Sequence, residues 1–388
     1  MKLKKTMLAV VLFCTTVQLS FAQKKKIEIP NIEGYYTLKA DFHMHTVFSD
    51  GHVWPTFRVN EAIRDGLDAI AITEHMDYEG FPDEIARDYN KSYEIASKAA
   101  QIKGLIVIRG VEISPRVPPY HHNAIFLKDA NSFPFDYMEN THQKFIMKKD
   151  LTHEQLMAPF LEALNQDAFV SYNHPSFGWW DKKDTVLFTS FHEELLEKGI
   201  LKGVEVVNSG RYNIIAHRMA MEYNLTMLCN TDEHYDMYPR YVESHRPMTL
   251  VFAKEKSQQG IKEGLLARRT ALYFDDLIVA REPEARGLFN AITKITAQKK
   301  NSKDEQQIAV LIENKSDIPL QLKIKGPYDW ENLPLGNLEL GAQQQLEIFL
   351  KAVWKYPETI NLEIEVQNFL VDPDHAFRTS VPVFIDEL

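Results

Sequence analysis

The sequence predicts an α/β fold, a barrel of strands alternating with helices, followed by a smaller antiparallel β domain. Three observations carry this reading. Short runs rich in Ile, Val and Leu alternate with stretches of helical periodicity over residues 38–285, the pattern of β/α units in a parallel sheet. Several of those apolar runs lead directly into a histidine or a carboxylate, which gathers polar groups at one face of a barrel. Over residues 290–388 apolar and polar residues alternate instead, with turn clusters between, as in half-buried antiparallel strands. A chain of 388 residues has room for one barrel-sized core and a second small one.

The amino terminus comes first. Lys2, Lys4 and Lys5 precede a mostly apolar stretch from Met7 to Leu19, and Ser20-Phe21-Ala22 offers small residues for cleavage. Residues 1–22 therefore read as a secretory signal peptide, too short for a membrane span, and imply a periplasmic or extracellular protein. Its removal takes away three lysines and no acid, so the formal charge moves from −10 to −13. So acidic a chain is a poor general partner for nucleic acid or an anionic membrane. Cys14 leaves with the leader and Cys229 alone remains, so no intramolecular disulfide can form; the apolar run Leu225–Cys229 marks that thiol as core filler. Residues 23–37, with Lys24–Lys26, read as a tether.

Buried strands are expected at Ala69–Ile72, Leu105–Ile108, Ala168–Ser171, Gly203–Val207 and Leu225–Leu228, with helices across Val59–Asp65, Tyr93–Gln101 and Glu154–Leu164. In the second domain Gln307–Glu313, Leu320–Lys325, Leu338–Leu350, Ile360–Val366 and Ser380–Ile385 alternate as strands. That domain shows no catalytic cluster, and His375 reads as a surface loop residue.

The chemistry lies at the strand ends. His43 and His45 are one residue apart and project to the same side of a strand, so both imidazoles can reach one ion. Asp50 adds a carboxylate at the Ser49-Asp50-Gly51 turn. His75 ends the next apolar run, and Glu112 ends the one after it, where a buried carboxylate needs a partner or an ion. Of the adjacent His121 and His122, one must face in and the other out, because neighbouring strand residues alternate faces. His174 follows at the next strand end, and Asp232 and His234 close the series on a shared face. Each of these signals is weak alone; their ordered recurrence is the signal.

In that order, Asp41-Phe42-His43-Met44-His45-Thr46, Ser49-Asp50-Gly51, Thr73-Glu74-His75, Gly110-Val111-Glu112, Asn173-His174-Pro175 and Thr231-Asp232-Glu233-His234 resemble the polymerase-and-histidinol-phosphatase (PHP) superfamily over residues 38–275. The stretch from Asp50 through Trp54 to Ala71 looks like a secreted bacterial phosphodiesterase branch that also carries a C-terminal β domain. The resemblance implies a distorted seven-stranded β/α barrel holding two or three Zn, Mn or Fe ions. By carry-over, His43, His45, Glu112 and Asp232 would hold one ion, and Glu112 would bridge to a second completed by His122 and His174. Asp50, His75 and His234 would hold the third. His122 is favoured over His121 because Asn123-Ala124-Ile125 follows it as the family pattern expects. Glu74 stands where the family usually has Asp, one residue before a ligand.

The implied reaction is hydrolysis of a small-molecule phosphate ester by a metal-bridging hydroxide, with Glu112 and Asp232 at the centre of the catalytic group. Neither a P-loop, a Rossmann fingerprint nor a G-x-S-x-G elbow is present. Arg116 and Arg211, just beyond metal-bearing strands, are the candidates to grip the phosphoryl group, ahead of Arg246 and Arg269. Trp54, Trp179 and Trp180 could wall a pocket for an organic substituent. Few cationic residues near the motifs favour a diester over a monoester dianion, with monoesterase activity as a side reaction. Two rivals remain at this level: a metal-dependent amidase or carbamate hydrolase on the same site, and a non-catalytic metal-containing binding module. Full retention of the ligand positions argues against the second.

Overall fold

The computed structural model describes residues 26–134, 151–176, 186–242, 244–302, 305–351 and 358–386. The expected leader, Trp179 and Trp180 lie outside the described residues. Within them no helix is long and apolar enough to cross a membrane.

The first half contains β1 (Tyr36–Asp41), α1 (Pro55–Arg64), β2 (Ala69–His75), α2 (Tyr89–Ala100), β3 (Ile106–Ile113) and β4 (His122–Ile125). It continues with α3 (His153–Asn165), β5 (Phe169–Tyr172), α4 (Ser190–Glu197), β6 (Leu201–Asn208), β7 (Arg211–Tyr212), α5 (Ile214–Glu222) and β8 (Thr226–Asn230). Then come β9 (Met248–Ala253), α6 (Gln258–Leu266), β10 (Thr270–Phe274) and β11 (Leu277–Ala280). Local chemistry sets the boundaries: Pro55 opens α1 in the first turn, and Thr152 with Gln155 forms a capping box at the start of α3. Every residue of β2 is buried, as expected of a strand covered on both faces.

Parallel ladders join β1 to β2, β2 to β3, β5 to β6 and β6 to β8. Between β3 and β5 sits β4, antiparallel to both. Only residues 114–121 link β3 to β4, too few for a parallel crossover, so the chain must turn back on itself. On the other side of β1 lie β9, β10 and β11, all antiparallel. The curved sheet meets its own start where β8 touches β9 and β10. There the Cys229 N–H donates to Thr249 Oγ1 at 2.9 Å, and the Thr270 hydroxyl donates to the Met227 carbonyl at 2.9 Å. Cys229 is buried at this seam.

Helix α7 (Glu282–Ile292) leads into the second domain. Its strands are β12 (Thr293–Ser302), β13 (Glu305–Asn314), β14 (Leu320–Lys325), β15 (Asn337–Leu340), β16 (Gln345–Phe349), β17 (Thr359–Asp372) and β18 (His375–Asp386). One sheet holds β12, β13 and β16; the other holds β15, β14, β17 and β18, and the end of β18 crosses to pair with β12. The run expected as one strand over Leu338–Leu350 is two, split by a turn at Gly341–Gln344. Phe369 and Leu370 of β17 pair with Ile278 and Val279 of β11, which joins the two domains edge to edge. The described part of the expected tether is docked at this joint: Glu28 exchanges hydrogen bonds with Asp317, both 2.9 Å.

Candidate metal centre

The strand ends deliver their polar residues to one place. His75 is the last residue of β2 and Glu112 the penultimate residue of β3. His43, His174 and Asp232 each stand two positions beyond β1, β5 and β8. The first and last of these loops are zipped together: the Asp232 N–H donates to the His43 carbonyl at 3.0 Å, and the His45 N–H to the Glu233 carbonyl at 3.1 Å. Asp232 takes a positive φ of 54°, a strained conformation for a side-chain-bearing residue that these bonds hold in place. Gly51 is needed for contact: a Cβ there would stand 2.6 Å from the His45 and Thr46 backbone.

Glu112 lies at the middle. Its Oε1 is 3.3 Å from His43 Nε2, 3.3 Å from His174 Nε2 and 3.2 Å from His121 Nδ1. Its Oε2 is 2.7 Å from His75 Nδ1 and 3.7 Å from His45 Nε2. Asp232 Oδ1 is 3.2 Å from both His43 Nε2 and His45 Nε2. Asp50 reaches His234 Nε2 at 3.1 Å and His75 Nε2 at 3.5 Å. Among the described residues, four overlapping groups of side chains could each hold an ion: His45, Asp50, His75 and His234; His43, His45 and Glu112; His43, His174 and Asp232; and His75, Glu112 and His121.

One expectation is corrected here. His121 stands in the cluster and His122 does not. Sheet register gives the reason: His122 pairs with Ile113, and Asn123 pairs with Glu112. Cross-strand partners share a face, so Asn123 looks inward with Glu112, while His122 looks outward with Ile113. His121, one residue earlier, returns to the inner side. His122 instead stacks on Tyr172 at 4.8 Å and lies beside Phe160 and His192.

A set of buried side chains positions the centre from behind. Glu205 on β6 accepts from His43 Nδ1 (2.8 Å), Asn230 Nδ2 (2.9 Å), the His174 N–H (2.8 Å) and Asn208 Nδ2 (2.9 Å). A carboxylate on Nδ1 keeps the proton there and turns the Nε2 lone pair of His43 towards the centre. Glu205 is the functional residue that sequence reasoning passed over; its signal is a lone acid in the apolar run Gly203–Val207. Glu74 points away from the cluster and accepts from the Thr46 N–H (3.0 Å) and Ser49 hydroxyl (2.6 Å), so it shapes the loop carrying His45 and Asp50. Arg58, 1% exposed, donates to the carbonyls of His45 (2.9 Å), Glu233 (2.8 Å) and Tyr235 (2.6 Å).

The electrostatics are those of crowded imidazoles and carboxylates. Burial, reinforced by His234 and His75, pushes the His45 imidazole down to about 3. Burial also works against the charged form of His75, yet Glu112, Asp50 and Asp77 hold it at about 10. Against the cost of its own burial, His75, His121 and His43 keep Glu112 ionised well below the usual carboxylate range. Several atoms facing the centre are buried with no well-formed hydrogen bond: His43 Nε2, His45 Nδ1, His75 Nδ1, Asp50 Oδ1 and Glu112 Oε2. Imidazole nitrogens and carboxylate oxygens of these types, facing one another, fit divalent cations with mixed nitrogen and oxygen ligation.

The expected arginines divide. Arg116 stands at the rim, with Nε 3.2 Å from Asp77 Oδ2. Arg211 is exposed on β7, paired with Asn208, whose amide lies 3.4 Å from Asp232 Oδ2. Arg246 is instead 1% exposed, bonded to Asp41 at 2.5 Å and Asp65 at 3.4 Å. Arg269 pairs with Glu263 and lies over Tyr35. Trp54 is 47% exposed at the start of α1.

Comparison with known proteins agrees with this layout. A PHP domain matches residues 41–316, and an Ig-like domain matches residues 293–382. A two-domain protein from Bacteroides vulgatus, containing a predicted PHP-like metal-dependent phosphoesterase, is 36% identical and superposes with a TM-score of 0.79; the match covers 92% of this chain and 98% of that one. An uncharacterised protein of Methanocaldococcus jannaschii is 30% identical over 206 residues, 51% of this chain and 82% of that protein.

Proposed function

Because the chain belongs to the PHP domain family, we propose that it is a metal-dependent phosphoesterase and, more narrowly, an exported phosphodiesterase. One observation carries the reading: imidazole nitrogens and carboxylate oxygens converge on one buried place, several of them with no well-formed hydrogen bond. The proposed ligands are His43, His45, Asp50, His75, Glu112, His121, His174, Asp232 and His234. Divalent ions held there supply Lewis acidity and make water nucleophilic near neutral pH.

The chain's own residues do the rest. Glu205 fixes the tautomer of His43 and, through the His174 N–H, the turn that aims His174. Arg58 holds the loops bearing His45 and His234 at constant spacing. Arg116 at the rim can turn from Asp77 towards a phosphoryl oxygen. The diester preference follows from charge. Arg116, Arg240 and Arg246 each face a carboxylate, which lowers the positive charge offered to a monoester dianion.

The test is hydrolysis of bis-p-nitrophenyl phosphate beside p-nitrophenyl phosphate. The expected outcome is faster diester turnover, lost with EDTA and restored by Mn or Zn. Turnover of an amide substrate with neither aryl phosphate cleaved would replace this reading with the amidohydrolase one.

A further inference from the structure

Four of the seven exposed aromatic side chains among the described residues lie in segments that follow metal-bearing strands. Trp54, Phe81, Tyr235 and Tyr238 stand exposed in the segments that follow β1, β2 and β8, the strands that deliver His43, His75 and Asp232. Among these side chains Tyr235 is the one most tied to the centre.

Tyr235 is 60% exposed, and one face of its ring stacks on His52 at 4.3 Å between centroids, with an interplanar angle of 10°. His52 follows Asp50 by two residues, and its N–H donates to the His234 carbonyl at 2.7 Å. Tyr235 follows His234 directly. The stacked pair therefore borders the place where Asp50 and His234 meet at 3.1 Å. The backbone beneath the ring is fixed from both sides. The Tyr235 N–H donates to Glu233 Oε1 at 3.0 Å, and its carbonyl accepts from buried Arg58 at 2.6 Å. The bonds that hold the ligand-bearing loop also fix the height of the ring beside the centre, so the ring is preorganised for a ligand. On the same loop as Asp50, Phe48 and Trp54 form a second aromatic pair at 5.5 Å.

We propose that Tyr235, backed by His52, is a stacking ledge for the organic arm of the substrate, and that this arm carries a planar aromatic ring, as in aryl and nucleoside phosphoesters. This inference rests on the phosphoesterase reading above. The open face of Tyr235 takes the ring by offset stacking while the phosphoryl group lies over the metal ligands. A ring-free sugar or alkyl arm gains none of this contact.

The test keeps the leaving group a primary alcohol throughout and varies the ring it carries. A nucleoside 5′-phosphate is compared with ribose 5-phosphate, and benzyl phosphate with cyclohexylmethyl phosphate, each as the monoester and the methyl diester, on the metal-loaded full chain. The first pair reads a nucleobase and the second a plain aryl ring. The expected kcat/KM preference for the ringed member is about ten-fold in at least one pair, within the range that base stacking supplies. Tyr235→Ala is expected to collapse that ratio to below two-fold, and Tyr235→Phe to keep it. A wild-type ratio near one in both pairs, or a ratio that survives Tyr235→Ala, overturns the ledge while leaving the phosphoesterase reading intact. No turnover of any ester in any metal-loaded form overturns both.

Discussion

The two halves of the molecule solve opposite problems. The interior of the barrel is built around charge. Asp41, Arg58, Glu74, Glu112, Glu205 and Arg246 are all at most 1% exposed. The interior of the C-terminal domain is built from Ile308, Val310, Ile312, Leu322, Ile364 and Phe377, and its buried polar groups among the described residues are Thr293, Asn314, Ser316, Asp317 and Asn368. Buried charge is tolerated only where partners meet it. The barrel meets it with pairs such as Arg246–Asp41 at 2.5 Å and with the four donors on Glu205. The β domain alternates its strands, as β14 does with its buried and exposed positions, and Asp317 is the only ionisable side chain buried in it among the described residues. The difference teaches where each half is vulnerable: apolar truncation should injure the β domain, and loss of a hydrogen-bond partner should injure the barrel.

The largest effect expected lies in the β domain. Phe377 is fully buried and packs 5.8 Å from Phe289 of α7. Phe377→Ala should cost about 3–5 kcal/mol in urea denaturation, the range for aromatic truncation in a packed core. Metal content per chain should stay that of the wild type, because no ligand moves. Loss of metal with this substitution would show that the two halves are not independent in this respect.

A smaller effect is expected in the barrel. Glu205→Gln keeps the shape but removes the charge that holds the His43 Nδ1 proton. Loss of such support behind a metal-binding histidine costs roughly 10–100-fold in metal affinity or activity, or about 1.4–2.7 kcal/mol. Metal titration of the purified variant reads this directly, and an affinity equal to wild type would remove Glu205 from the positioning role.

Much of this contrast was legible in the sequence, and the misses share a cause. His75 was readable because an apolar run ends on it, and β14 because its residues alternate. Arg246 was not, because an arginine that grips phosphate and one that neutralises Asp41 and Asp65 look alike until the partner is placed. Glu205 was hidden for the same reason: four donors converge on it from the segments just after β1 and β5 and from the last residues of β6 and β8. Strand β9 has the apolar signature of its neighbours in Met248–Ala253, but no ligand marks its end. Sequence pattern reports burial and period; it does not report the partner across the sheet.

The smallest effect is the one that separates adjacent residues. Strand alternation required that one of His121 and His122 face inward, and the register Ile113–His122 decides for His121. His122 lies 4.8 Å from the Tyr172 ring at 12°, its Nδ1 is 3.2 Å from the Tyr120 carbonyl, and its Nε2 is buried without a hydrogen bond among the described residues. His122→Phe keeps the stack and removes the orphaned nitrogen at the loss of one long hydrogen bond. A near-isosteric change of this kind should cost less than about 1.5 kcal/mol and leave metal content unchanged. His121→Ala should lower metal content at nearly unchanged fold, read by elemental analysis beside circular dichroism. The reverse outcome, metal lost with His122→Phe and kept with His121→Ala, would mean that the β3–β4 register is shifted by one residue, since only such a slip exchanges the two faces.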